Sequence, residues 1–168
     1  MKIALIGYGK MGKLLERFAQ ERGHEICITI DADNASDIRS ERFKEADVAI
    51  EFSVPHAALE HIYDAFEADV PIVVGTTGWY DELDTVQQKC VAGNNTLLYA
   101  SNFSVGVNVF FEINKKLAQL MANYPDYSVV MEEIHHTQKL DAPSGTAITL
   151  AEGIIDAFPQ KKWVNEAS

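Results

Sequence analysis

The chain has 168 residues, of which 47% are hydrophobic and 23% charged, and its formal net charge is −11. A chain of this length and apolar content can bury a core, and it contains no apolar run near the roughly 18 residues that span a bilayer. The negative charge disfavours a nucleic-acid partner, because phosphate backbones require a basic face. We therefore expect a globular protein with no nucleic-acid or membrane partner.

A glycine-rich turn lies between the first predicted strand and the first predicted helix. Residues 3–6 form an apolar run typical of a buried strand, and apolar residues recur at helical spacing from residue 14. The intervening motif is GxGxxG, whose glycines permit a tight turn and let a pyrophosphate approach a helix N-terminus. The sequence therefore predicts a dinucleotide site formed by Gly7, Tyr8, Gly9, Lys10, Met11 and Gly12.

An acidic residue follows the second predicted strand. Residues 26–30 form an apolar strand pattern, and Asp31 follows directly, 19 residues after Gly12. That is close to the usual offset of about 20 for the acid that binds the adenosine ribose hydroxyls. Asp33 follows, and no arginine stands immediately downstream to receive a 2′-phosphate. We expect NADH to be preferred, with NADPH also usable if Lys10 reaches the ribose.

Three more apolar runs continue the alternation of strands and helices. Strands are predicted at residues 46–52, 71–74 and 96–100, and helices at 55–66 and 80–92. Such runs favour a parallel sheet covered on both faces, so the predicted fold is an α/β, Rossmann-type doubly wound sheet. Polar turns at 52–55, 75–78 and 101–106 would meet at the carboxyl ends of the strands. On residue type alone, Thr76, Thr77 and Asn102 are ordinary turn formers.

The segment 133–147 combines two histidines and a lysine with a helix start. A strand predicted at 127–134 would end beside His135 and His136, and Lys139 would lie in a loop. Pro143 opposes helix until Ser144 can cap one, which the pattern predicts over 147–158 after an earlier helix at 106–124. Cations beside a helix N-terminus suit a carboxylate-bearing ligand.

Simpler interpretations of this segment remain open on the residues alone. The histidines can be a surface pair, the lysine a solvated side chain, and the Ser-Gly-Thr sequence a plain helix cap. A metal site is not expected, because neighbouring side chains of an extended chain diverge and no further ligands stand at metal spacing.

Taken in order, these motifs resemble those of the 4-hydroxy-tetrahydrodipicolinate (dihydrodipicolinate) reductases, from residue 1 past residue 147. The resemblance implies NAD(P)H-dependent reduction of a cyclic dicarboxylate imine to tetrahydrodipicolinate, a step of the diaminopimelate route to lysine. It implies a dinucleotide-binding domain over 1–104. Residues 105–168 would be the front part of an α+β substrate-binding and oligomerisation domain. Family members are commonly tetramers, so a homo-oligomer is expected.

The resemblance also assigns roles to single residues. His135 would be the general acid, and Lys139 would supply positive charge or a second proton nearby. The turns that follow the strands would contact the nicotinamide and its ribose. Further cofactor residues would be Phe52, Gly75, Thr76, Thr77, Ser101, Asn102 and Phe103, and the substrate would be held by His136, Lys139, Ser144, Gly145 and Thr146.

Further expectations accompany this assignment. Relatives continue beyond the position of Ser168, so the chain is expected to be a fragment. A different nicotinamide enzyme would need a nucleophilic thiol, but Cys27 and Cys90 fall within a strand and a helix pattern, as reduced thiols of a cytoplasmic protein would. No signal peptide precedes the first strand, which also favours the cytoplasm. A non-catalytic dinucleotide-sensing module is the remaining alternative.

Overall fold

The computed structural model describes residues 1–135, 137 and 142–164. The chain divides into two compact units, Met1–Ala100 and Ser101–Ser168. None of the helices in the described ranges is both long and apolar enough to cross a membrane.

The first unit is a five-stranded parallel sheet with helices between the strands. The strand order is β2-β1-β3-β4-β5. Each of the five predicted strands is confirmed, with its ends within two residues of the prediction. The strands are β1 (Lys2–Ile6), β2 (Glu25–Ile30), β3 (Val48–Glu51), β4 (Ile72–Val74) and β5 (Leu97–Tyr99), and the helices are α1 (Lys10–Glu21), α2 (Glu41–Lys44), α3 (Pro55–Glu67) and α4 (Leu83–Ala92).

Apolar side chains on both faces of this sheet are buried, as the continuous apolar runs predicted. Ile3 and Leu5 pack with Ala19 of α1 on one face. Successive strand residues point to opposite faces, so Ala4 and Ile6 lie on the other face, in a larger cluster that includes residues of α2, α3 and α4. The 3-10 segment Ala32–Arg39 and the short helix α2 were not predicted, and the predicted helix at 80–92 begins with a 3-10 turn, Tyr80–Glu82. The doubly wound α/β class is confirmed.

The strand order reverses direction beside β1. The chain passes from β1 to β2 on one side and then returns to β3 on the other side of β1. Ile6 at the end of β1 is paired with both Ile30 of β2 and Glu51 of β3. Ligands of open α/β sheets bind at such a reversal, outside the carboxyl ends of the strands. The glycine turn after β1 and the turn after β3 are both at this position.

The second unit contains a pair of packed helices. They are α5 (Val105–Met121) and α6 (Gly145–Ile155), close to the predicted ranges 106–124 and 147–158. The Asn114 side-chain amide donates to the Leu150 carbonyl at 2.9 Å. A Cβ added at Gly153 would lie 2.9 Å from the Lys115 side chain, so the glycine permits close helix packing. Ser144 caps α6, as predicted, by accepting from the Ala147 N–H.

The predicted strand at 127–134 is wrong. Residues 127–135 have no regular secondary structure. Their apolar residues include Val130 and Ile134, which are 90% and 83% exposed. Such a pattern becomes a strand only where a neighbouring strand completes its backbone hydrogen bonds. Within the described part of the second unit no strand is present to pair with it.

Candidate active site

At two positions of the loop after β1, the neighbouring backbone leaves no room for a side chain. Gly7 has φ +87°, a conformation that side chains rarely adopt, and an added Cβ would lie 2.0 Å from the Phe52 carbonyl oxygen. At Gly12 an added Cβ would lie 2.2 Å from the Gly7 carbonyl oxygen. These positions therefore hold β1, β3 and α1 in close contact.

Gly9 differs, because its surroundings are open. No atom lies within 4 Å of a Cβ added there. Gly9 is the N-cap of α1 and supplies no side-chain cap, so the first N–H groups of the helix are available to an anion. Lys10 and Met11 are exposed at this helix start. The loop therefore fits the pyrophosphate of a dinucleotide.

Tyr8 in the same loop is held by its neighbours in α1. Its hydroxyl hydrogen-bonds the Glu16 carboxylate, which raises the pKa of Tyr8. The Lys13 ammonium lies 5.8 Å from the centre of the Tyr8 ring. A cation and a fixed ring thus stand beside the turn that the sequence assigned to the cofactor.

Asp31 directly follows β2 and is exposed. Its Oδ1 accepts from the Ala32 N–H at 3.0 Å, and the Asn34 side chain accepts from the Asp31 N–H at 2.8 Å. Arg39, the first arginine downstream, binds Asp64 through Nε at 2.9 Å and is therefore engaged away from Asp31.

A buried polar cluster joins the turns after β3 and β4, and the sequence did not reveal it. Glu51 is completely buried, and its Oε1 accepts from the Ser53 N–H at 3.0 Å and from the Ser53 hydroxyl. The His61 Nδ1 atom lies 3.5 Å from the same oxygen. The Ser53 N–H also donates to Thr76 Oγ1 at 2.8 Å. Oε2 of Glu51 has no hydrogen-bond partner among the described residues.

Two predicted cofactor residues, Gly75 and Thr76, are hydrogen-bonded to residues of this cluster. The Gly75 N–H donates to the Glu51 carbonyl at 2.9 Å. A Cβ added at Gly75 would lie 2.1 Å from the Phe52 ring, so only glycine allows that ring to pack there. Thr76 is buried and Thr77 half-buried. In the sequence, an acidic residue at the end of an apolar strand was a sign of this cluster. The residues that bind Glu51 are brought to it by tertiary contacts, which the sequence does not show.

The predicted residues after β5 begin the second unit. Asn102 accepts from the Ser104 N–H at 2.8 Å through its side chain, and its carbonyl accepts from the Asn108 side chain at 2.9 Å. Ser101 is half-buried, whereas Phe103 is exposed. These contacts fix the turn that enters α5.

In the second unit, one carboxylate connects a predicted catalytic residue to the start of α6. Glu133 Oε1 lies 2.5 Å from His135 Nε2 and also binds the Ser144 hydroxyl. Its Oε2 accepts from the Ser144 N–H at 3.1 Å. The bonds from Ser144, together with His135, lower the pKa of Glu133 to about 2. Sequence reasoning missed Glu133, although residues two apart on an extended chain share a face.

Several predicted substrate residues lie at the same helix start. The Ser144 Oγ atom accepts from the Ala147 N–H at 3.1 Å, and Gly145 and Thr146 are half-buried in the first turn. The unpaired N–H groups of a first turn favour an anion. His136 and Lys139 lie outside the described residues.

Both cysteines are free thiols within regular elements. Cys27 is buried in β2, its thiol contacts the Ile3 carbonyl at 3.4 Å, and burial raises its pKa. Cys90 lies in α4, where its thiol contacts the Asn95 carbonyl at 3.2 Å. Neither stands at the carboxyl end of a strand, where a nicotinamide enzyme with a thiol nucleophile would need it.

Comparison with known proteins agrees with both units. The family model for the N-terminus of dihydrodipicolinate reductase matches residues 1–103, and the model for its C-terminus matches residues 106–167. A 4-hydroxy-tetrahydrodipicolinate reductase of Christiangramia forsetii is 50% identical over 156 residues, covering 93% of this chain. One from Acinetobacter baumannii strain AYE is 35% identical and covers 94% of this chain.

The chain spans 64% of the length of these two relatives. Among solved structures, a dipicolinate-bound dihydrodipicolinate reductase from Paenisporosarcina sp. TG-14 is similar, with a TM-score of 0.67 and 28% identity. The match covers 100% of this chain and 71% of that chain. The two family models cover both units, and the parallel sheet, its glycine loop and the capped α6 all lie within the matched residues. The chain belongs to the dihydrodipicolinate reductase family.

Proposed function

We propose that this chain acts in the NAD(P)H-dependent reduction of 4-hydroxy-tetrahydrodipicolinate, a cyclic dicarboxylate imine, to tetrahydrodipicolinate in lysine biosynthesis. The supporting observation is the contact of His135 with Glu133, which binds the first residue before α6. This contact holds a group able to transfer protons beside a helix N-terminus that favours a carboxylate. Curated relatives that carry this activity in their names support the same conclusion.

The first unit would bind the cofactor. The open space at Gly9 and the free N–H groups at the start of α1 suit the pyrophosphate. Asp31 would hold the adenosine ribose, and Phe52, Gly75 and Thr77 the nicotinamide half, with residues 101–103. A bound reduced nicotinamide supplies the hydride. Thr76 would act through its bond to Ser53, because its side-chain oxygen already accepts from that N–H.

The second unit would supply the proton and the charge. The substrate hydroxyl would leave as water, hydride addition to the resulting unsaturated imine would leave negative charge on the ring, and His135 would protonate it. Lys139 would provide positive charge near that ring. Gly145 and Thr146 N–H groups, with His136, would hold a substrate carboxylate. Ser144 would act by capping α6, because its N–H and its hydroxyl both already bond Glu133. A positioned general acid typically contributes a factor of about 10² to 10⁴ in rate.

The cofactor preference is proposed to be NADH, with NADPH also accepted. A 2′-phosphate a few ångströms from Asp31 would cost about 1 to 4 kcal/mol at surface-like dielectric. Arg39 is engaged by Asp64 and does not offset this cost, whereas Lys10 is exposed and able to move. Dissociation constants for both cofactors at low and high salt measure the preference. Tighter NADPH binding that weakens with salt would show that a cation outweighs Asp31.

We further propose a cytoplasmic homo-oligomer, with the tetramer typical of the family. The free thiols agree with a reducing compartment. Exposed apolar residues on α5, among them Val109, Ile113 and Leu117, are each more than half exposed and agree with self-association. Light scattering on the purified chain measures the state, and a monomer at all concentrations would contradict it.

The decisive experiment combines the intact mass of the protein with an NADH-oxidation assay. NADH should be consumed only when the cyclic dicarboxylate substrate is present, and tetrahydrodipicolinate should form in equal amount. A dinucleotide-sensing module would bind NADH and consume none. Verified mass with bound NADH but no turnover would therefore contradict the proposed activity of this chain.

A further inference from the structure

We propose that Glu133 is a positioning residue that binds Nε2–H of the His135 ring, so that Nδ1 is the nitrogen that releases the proton to the substrate. The proposal rests on the proposed function of His135 as the general acid. Its structural part, the state of the ring, does not depend on turnover.

The hydrogen bonds around Glu133 determine which atom is the donor. The Ser144 N–H can only donate, and it bonds Oε2 at 3.1 Å. The Ser144 Oγ atom accepts from the Ala147 N–H at 3.1 Å, and it donates its own hydrogen to Glu133 Oε1, because an ionised carboxylate can only accept. Both carboxylate oxygens therefore act as acceptors. The only role left to His135 Nε2, 2.5 Å from Oε1, is to donate.

The lowered pKa of Glu133 also indicates that this carboxylate accepts hydrogen bonds. Its bonds lower the pKa of Glu133 to about 2, so the carboxylate is ionised at neutral pH. A histidine that donates one ring N–H to a carboxylate has its tautomer and ring orientation fixed by that bond. The side chains of Glu133 and His135 are 24% and 38% exposed, so the pair is accessible and not part of a core.

His135 transfers a single proton to the substrate in the proposed step. The doubly protonated imidazole loses the proton on Nδ1 to the substrate carbon or nitrogen that bears the electron pair left by hydride addition. The Nδ1–H bond breaks, and the ring becomes neutral while it keeps Nε2–H on Glu133. The two electrons come from the reduced nicotinamide, and solvent returns the proton to Nδ1 before the next turnover. The Glu133 carboxylate stabilises the imidazolium and exchanges no proton itself.

Nitrogen-15 NMR of the histidine rings tests the proposal on the 168-residue chain. The ring signals of His135 are assigned by their loss in His135→Gln, and spectra are recorded near pH 8.5, about two units above the usual histidine pKa. We expect a protonated Nε2, an unprotonated Nδ1 and a Nε2–H hydrogen that exchanges slowly with solvent. Glu133→Gln should abolish the slow exchange, because the amide replaces the charged acceptor.

Glu132→Gln is the matched control. Glu132 is the preceding residue, is exposed and hydrogen-bonds none of the described residues, so the variant removes the same charge without the contact. Its His135 spectrum should equal that of the wild type. In the assay, Glu133→Gln should lower kcat by about 10- to 100-fold and leave the NADH dissociation constant unchanged, while Glu132→Gln changes neither.

The outcomes separate this proposal from the proposed function. A His135 ring protonated at Nδ1, or a Nε2–H signal unchanged in Glu133→Gln, overturns the positioning role whatever the turnover. Equal kcat in Glu133→Gln and the wild type also overturns it. If instead the ring has the expected state but His135→Gln turns over like the wild type, then the general-acid assignment is the part that is wrong.

Discussion

The two units hold their functional residues in different ways. In Met1–Ala100 the candidate residues lie on turns fixed by backbone contacts and by a completely buried carboxylate, Glu51. In the second unit, His135 lies on an irregular segment and is held by exposed side-chain contacts to Glu133. Buried, hydrogen-bonded groups couple function to stability, whereas exposed ones do not. We therefore expect changes in the first unit to affect stability and cofactor binding together, and replacement of the His135 side chain to affect mainly turnover.

The largest expected effect belongs to His135→Gln. Loss of the general acid should lower kcat by about 10² to 10⁴, which corresponds to roughly 2.7 to 5.5 kcal/mol in the barrier. The free energy of unfolding should change by less than about 0.5 kcal/mol, because the side chain is 38% exposed. Turnover kinetics and urea unfolding measure the two quantities. A large loss of stability would contradict the separation of function from stability in this unit.

Gly7→Ala should destabilise the first unit by at least about 2 kcal/mol. Its φ of +87° and the approach of an added Cβ to the Phe52 carbonyl add strain and overlap. NADH binding should be lost with it. Urea unfolding and calorimetry with NADH measure both effects.

Gly9→Ala is the control for that variant. An added Cβ meets no atom within 4 Å, so the loss of stability should stay below about 1 kcal/mol, the cost of alanine at an N-cap. NADH affinity should nevertheless fall by about tenfold, because the methyl group lies where the pyrophosphate approaches. Unchanged NADH affinity would place the phosphates elsewhere.

Glu51→Gln should cost about 1 to 3 kcal/mol of stability. The amide places a donor among the Ser53 and His61 groups that now share Glu51 Oε1. NADH affinity should fall in the same variant, since Thr76 is held by the Ser53 N–H that Glu51 also binds. Glu60→Gln, which alters an exposed pair with Arg39, should change stability by less than about 1 kcal/mol. Equal effects of the two variants would contradict the role of burial.

The smallest effect is a pH dependence at the start of α6. The folded pKa of Glu133 is lowered from 4.5 to about 2. Its contribution to the stability of the start of α6 is therefore full above about pH 4.5 and is lost as the pH falls toward 2. Hydrogen-exchange protection of the Ser144 amide should decline over that range. The Gly75 amide, bonded to a backbone carbonyl, should show no matching decline. In Glu133→Gln the decline at Ser144 should disappear.

The sequence predicted the first unit better than the second for a physical reason. Strands such as β1 and β4 are short apolar runs bounded by glycine or proline, and their partners follow within one helix. The segment 127–134 has a strand-like composition, but a strand depends on a neighbour that composition does not specify. Ser144 was predicted as a cap because capping is local. The contacts of Glu51 with His61, and of Glu133 with Ser144, join residues ten or more apart, so no local pattern predicts them.

The most direct test of this division between the units is amide NMR of the chain titrated separately with NADH and with dipicolinate, a stable cyclic dicarboxylate. NADH should shift amides at 7–12, 31, 52, 75–77 and 101–103, with the largest changes at the glycine loop. Dipicolinate should shift amides at 133–135 and 144–146 and leave the glycine loop unchanged. Dipicolinate shifts at the glycine loop, or NADH shifts confined to α6, would contradict the account.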